Sequence, residues 1–103
     1  MQPIEAEIVK SHLKNFHGKP VYIHCEITPG GFVRNPTITV VESFLNGTDP
    51  YRATLKLTDN GWVRIEGLTD FEIDHKNRLL LAGHDHLGRL TAALQLSHTP
   101  FNA

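Results

Sequence analysis

Seven histidines stand in a chain of 103 residues, and two of them, His84 and His86, flank Asp85. On an extended strand both imidazoles would face one side and could share a metal ion. Asp85 and Gly88, however, read as turn residues, the Asp bonding the turn backbone and the Gly at the fourth position, which makes His86 an exposed turn side chain. His84 ends an apolar run and is the better candidate. His24 and Glu26 lie two apart in an alternating segment and project side by side. Joined by His84 they would form a two-histidine, one-carboxylate set, the minimum for a catalytic metal. The plainer reading of the same alternation is a solvated strand face crossed by one hydrogen bond.

Arg34-Asn35 and Tyr51-Arg52 place guanidinium groups beside amide or aromatic partners, a grip suited to a carboxylate or phosphate. His24, Glu26, Arg34, Asn35, Arg52 and His84 are therefore the expected ligand-binding residues, with no catalytic residue named; surface arginine without a ligand is the alternative. Asp70, Glu72 and Asp74 share a face opposite Phe71 and Ile73. They lack the glycine hinge and closing Glu of a calcium loop and read as a solvated face. Cys25 alternates with Val21, Ile23 and Ile27, the pattern of a buried, inert thiol. Trp62, Tyr22, Tyr51 and Phe32 suit core packing or a protein interface better than a base-stacking platform. The sequence has no Gly-rich phosphate cradle, nucleophile-elbow serine or zinc-protease helix motif, and no cofactor is expected.

The elements that must position these residues follow from periodicity. From Pro3 to His17 the apolar residues Ile4, Ile8, Val9, Leu13 and Phe16 predict one helix, with Pro3 in its first turn and Gly18 as its left-handed exit. Pro20 to Thr28 alternates strictly and predicts a strand. Phe32 to Asn35 is a short segment stopped by Pro36, and Thr37 to Leu45 is a further strand. Tyr51 to Leu57 and Trp62 to Leu68 form a hairpin whose tight primed turn is expected at Asn60-Gly61. Phe71 and Ile73 mark a short strand, and Arg78 to His84 and Arg89 to Ser97 form the last pair, with Asp74 to Asn77 a turn of the same design as Asp85 to Gly88. The expected fold is α+β: an N-terminal helix packed on a strongly bent antiparallel sheet, or a partly closed β-barrel, of about six or seven strands in a meander, all within a single domain 1–103.

Charge narrows the partners. Ten Lys and Arg nearly cancel eleven Asp and Glu, and no run of like charge occurs, which argues against nucleic acid and anionic membrane surfaces. One cysteine excludes an internal disulfide and a Cys-rich zinc site. No apolar stretch nears the roughly 20 residues of a spanning helix. Met1 to Lys10 lacks the basic-then-apolar order of a secretory signal, so a cytoplasmic location is expected.

Tyr22-Ile23-His24, Gly31-Phe32-Val33-Arg34-Asn35, Pro50-Tyr51-Arg52, Gly61-Trp62, Glu66-Gly67-Leu68-Thr69 and Arg78-Leu79-Leu80-Leu81-Ala82-Gly83-His84, in that order and with the closing Ser97-His98 to Pro100-Phe101, resemble the YojF family of uncharacterised bacterial proteins. The resemblance covers almost the whole chain and brings no catalytic residues with it. It implies an accessory role beside a deacetylase of bacillithiol (low-molecular-weight thiol) metabolism. With no catalytic constellation in the sequence, the expected function is a non-catalytic accessory or binding domain acting on a protein partner such as that deacetylase or on a small polar ligand, with homodimerisation as a further option. The different-class alternative is a small metal-dependent enzyme built on His24, Glu26 and His84. Between Thr28 and Phe32 this chain is shorter than the family pattern, so a function housed in that loop is in doubt here.

Overall fold

A computed structural model describes residues 1–102. The first strand, β1 (Gln2–Pro3), precedes the helix α1 (Ala6–Leu13), which tightens into a 3-10 turn at Lys14–Phe16. Seven strands follow: β2 (Pro20–Ile27), β3 (Gly31–Gly47), β4 (Tyr51–Leu57), β5 (Trp62–Leu68), β6 (Asp70–Ile73), β7 (Leu79–His84) and β8 (Leu90–Ser97). An eight-residue helix has little stability alone, so α1 depends on what it buries. Val9, Leu13 and Phe16 are that buried stripe; the tighter final turn brings Phe16 onto the Leu13 side. Ile8 falls outside the stripe and is exposed. Pro3 does not start the helix as its sequence context predicts. It lies in β1, paired with Asp70 of β6, a sheet-edge position where a missing N–H does no harm.

All strand neighbours are antiparallel, in the order β1-β6-β7-β8-β2-β3-β4-β5. Eight strands replace the expected six or seven. The expected single meander is two meanders, β2 to β5 and β6 to β8, joined where β8 pairs with β2. The sheet is not closed into a barrel: β1 and β5 are its two ends. Within the first meander β3 is shared by two halves of the sheet, because its first part pairs with β2, on the side of β8, and its second part with β4. Seventeen extended residues would reach about 56 Å, yet the longest extent of the molecule is 37 Å, so β3 must bend. It does so through bulges against β2 and β4. Asn35, at φ 69°, lies in the first bulge with Pro36, so the stop read into Pro36 is a kink within one strand.

The inner face carries the core: Val21, Ile23, Val40, Leu45, Leu55, Leu68, Phe71, Leu79, Leu81, Leu94 and Leu96 pack with the helix stripe. Full burial of each such side chain contributes about 1.5–3 kcal/mol before entropy. Curling of the sheet brings the end of β5 against β7, where a Cβ on Gly83 would collide with the Gly67 carbonyl. Only glycine permits that approach.

Two turns repeat one five-residue device. The Asp74 carboxylate accepts from the Lys76 and Arg78 amides (2.9 and 3.0 Å) and from Arg78 Nε at 2.6 Å. Asp85 accepts in the same way from the Leu87 and Arg89 amides and from Arg89 Nε, each at 2.9 Å. Asn77 and Gly88 take the left-handed position, at φ 59° and 76°. The β4–β5 turn is primed, as expected, but is shifted by one residue. Asp59 and Asn60, at φ 61° and 65°, occupy its centre, while Gly61 is extended at φ −81°.

Candidate functional site

His24 is where the alternation of β2 departs from a simple inside and outside. Val21 and Ile23 face the core, and Cys25 on that side is partly buried, its thiol pushed up by burial. His24 points to the outer face, yet it is only 3% exposed, which contradicts a solvated polar face. The C-terminal segment covers it. After β8, the Thr99 amide donates to Ser97 Oγ at 3.1 Å and turns the chain back. Phe101 then lies over the outer face, its ring edge-on to His24 at 6.4 Å and the Arg78 guanidinium 5.6 Å from its centroid. Phe32 approaches the imidazole from another side at 6.0 Å.

Arg34, Asn35 and Glu26 join this cluster. Arg34 Nε donates to His24 Nδ1 at 3.2 Å, so Nδ1 is the acceptor and the ring proton sits on Nε2, which donates to Glu26 Oε1 at 3.1 Å. The imidazole is therefore the neutral Nε2–H tautomer. Thr28 Oγ1 donates to the other Glu26 oxygen at 3.0 Å. The bond from His24, then that from Thr28, hold the Glu26 carboxyl below the usual carboxylate range. Arg34 Nη1 donates to the Asn102 carbonyl at 3.0 Å. Asn35 grips the Phe101 backbone twice: its Nδ2 donates to the Phe101 carbonyl, and its Oδ1 accepts from the Phe101 amide, both at 2.7 Å. The left-handed backbone at Asn35 turns its side chain toward the segment. Asn tolerates that conformation better than most residues.

Four expected ligand-binding residues, His24, Glu26, Arg34 and Asn35, thus meet in one place, and what they hold is the protein's own C-terminal segment. Both His24 nitrogens are engaged, which leaves no lone pair for a metal and no base for proton abstraction. His84 stands elsewhere. Its Nδ1 donates to Asp70 Oδ1 at 2.9 Å and its amide to Thr69 Oγ1 at 3.0 Å. The Thr69 hydroxyl, and then His84, hold the Asp70 carboxyl low. The His24, Glu26 and His84 set is therefore not assembled, and among the described residues no three His, Cys, Asp or Glu side chains group so as to hold a metal. Two strand spacings and an offset along the strands separate the histidines, which sequence alternation cannot show.

Arg52 is also apart, paired on β4 with Glu66 of β5 through Nε (3.2 Å) and Nη2 (2.8 Å). That bond holds the Glu66 carboxyl low. Asp70, Glu72 and Asp74 do not act together: Asp70 serves His84, Glu72 lies 3.6 Å from the terminal amine, and Asp74 closes its turn. Trp62 and Phe32 are exposed rather than packed in the core. Phe101 is the site residue that sequence reasoning passed over. Its signal was slight: one aromatic residue beyond the last strand.

A family model described as "Protein of unknown function (DUF1806)" matches residues 3–101. The "Uncharacterized protein YojF" of Bacillus subtilis (strain 168) is 38% identical over 115 aligned positions that cover 98% of this chain and 98% of that protein. The alignment is longer than this chain, so the relative carries residues that it lacks. Against the crystal structure of Bacillus subtilis YojF protein the TM-score is 0.91 at 38% identity, covering 99% of this chain and 97% of that one.

Proposed function

The chain belongs to the DUF1806 family of proteins of unknown function, and from that premise we propose that it is a non-catalytic accessory domain that works by docking on a protein partner. The observation that carries this reading is an apolar end on the sheet. Ile27 and Val33 at the β2–β3 tip and Leu87 and Leu90 at the β7–β8 tip are 50%, 53%, 64% and 38% exposed, and Phe32 is 68% exposed. Pairing of Ile27 with Ala92 sets the two tips side by side. Scattered apolar residues are ordinary on a surface; five gathered at one end of the sheet, Phe32 on the outer side and Ile27 and Val33 on the other, make an apolar rim that supports an interaction site there. The polar candidates His24, Glu26, Arg34, Arg52 and His84 are engaged in internal bonds.

As that partner we propose a deacetylase of the kind that serves bacillithiol synthesis, acting in the cytoplasm; the resemblance read from the sequence is what supports this choice. No helix is long and apolar enough to cross a membrane among the described residues. The test is association of this protein with that deacetylase, measured by sedimentation or co-purification and by the deacetylase rate. Phe32→Ser with Leu87→Ser, both on exposed positions, should abolish association without loss of fold by circular dichroism. No association at about 100 μM, a weak-binding concentration, together with an unchanged deacetylase rate, sinks the proposal. Self-association removed by the same variant would reassign the surface to a homodimer.

A further inference from the structure

At the opposite end of the β2–β8 pair lies a recess of about 410 Å³, lined by His12, Lys14, Asn15, Phe16, His17, Lys19, Asn77 and His98. Its residues come from the end of α1, the 3-10 turn and the link to β2, the β6–β7 turn and the segment after β8. Two lysines and three histidines face it and no Asp or Glu lines it, although acidic residues outnumber Lys and Arg in the whole chain. Its wall is organised. Phe16 is buried, and the His98 ring stacks on it at 4.7 Å and 23°. Asn15 donates to His12 Nδ1 at 3.4 Å, which leaves His12 Nε2 to donate to the Asn77 carbonyl at 3.0 Å. Across the link, His17 Nε2 is 2.7 Å from Ser43 Oγ.

We propose that this recess binds a small phosphorylated molecule, with the Lys14 and Lys19 ammonium groups on its phosphoryl oxygens and the Phe16–His98 stack against the remainder. Lysine ammonium groups serve phosphate as point charges with three donors each, and amide side chains such as Asn15 add neutral donors. The volume fits the range of small-molecule sites, and a recess without carboxylates puts no like charge against an anion. A carboxylate ligand would share the charge attraction, so the assay must separate the two chemistries. The site is remote from the apolar end, so ligand binding here and docking there can fail independently.

The experiment is calorimetric titration of the full chain with pyrophosphate, with citrate as the carboxylate arm. Saturable pyrophosphate binding is expected, tighter than that of citrate. Lys14→Gln with Lys19→Gln, both at exposed positions, should weaken it about tenfold or more. Lys56→Gln with Arg64→Gln, on the β4–β5 face, should leave it unchanged. No saturation by roughly 10 mM, equal affinity in the Lys14/Lys19 variant, or an equal loss in the Lys56/Arg64 variant overturns the site. Tighter citrate binding overturns the phosphoryl assignment.

Discussion

Replacing Asn35 by glycine removes both bonds to the Phe101 backbone while leaving the left-handed backbone at φ 69° free of steric strain. Each bond contributes about 1 kcal/mol net, so Asn35→Gly should cost about 2 kcal/mol. Asn35→Ala loses the same bonds and must also force a Cβ into that conformation, roughly 1 kcal/mol more, for a total of about 3 kcal/mol. In Phe101→Ala the anchoring ring, only 7% exposed, is gone, at about 3 kcal/mol. With the segment released, Asn35 has nothing to hold. The added cost of Asn35→Gly in that background should fall to about 1 kcal/mol or less, giving a coupling of at least about 1 kcal/mol. Urea unfolding followed by far-ultraviolet circular dichroism measures the four proteins of the cycle and Asn35→Ala. The order Ala worse than Gly tests the backbone contribution, and the coupling tests the latch. A cost for Asn35→Gly below about 0.5 kcal/mol, or strict additivity with Phe101→Ala, would refute the claim that the outer face is built to hold the C-terminal segment.

Glu26, Asp70, Asp74 and Asp85 all have carboxyl groups held low. For Asp74, burial acts in the opposite direction but is outweighed by the bonds from Arg78 and Lys76; for Asp85, the Arg89 amide leads. A lowered folded-state value means that their stabilisation is complete above the ordinary carboxylate value of about 4 and is lost as pH falls through the lower folded-state values. The urea midpoint should therefore be nearly level from pH 7 to about 5 and drop below about 4, more shallowly in Asp74→Asn; an unchanged slope in that variant would contradict the assignment. Gly83→Ala should destabilise by about 2 kcal/mol or more through overpacking against the Gly67 carbonyl, read as a fall in thermal midpoint; a neutral result would mean that β5 and β7 separate easily.

Local chemistry was the legible part of this chain. Asp85 with Gly88 and Asp74 with Asn77 announced their turns because an Asx side chain and a left-handed residue at fixed spacing need nothing distant. The helix stripe of Val9, Leu13 and Phe16 and the inward side of β2 were legible for the same reason, as periodicity is a property of neighbours. Assembly was not. Pro36 looks like a strand terminator, and only pairing on both sides of it makes β3 one strand. His24 and Glu26 were correctly placed side by side, but that the outer face at His24 is covered depends on Phe101, 77 positions away. That His84 stands apart from them is illegible in the sequence, because the order of strands across the sheet is not written in alternation.

The strand shared by both halves of the sheet has a dynamic consequence. Peeling β4 or β2 from β3 frays a ladder in which β3 takes part, so the parts of the sheet on either side of β3 have no boundary at which to melt alone. Amide protection across β2, β3, β4 and β8 should rise to one common plateau set by global unfolding, while only the chain ends and turn tips exchange by smaller fluctuations. A backbone cut within Val40–Val41, at the handover from one half to the other, would separate this chain into pieces that no longer melt together.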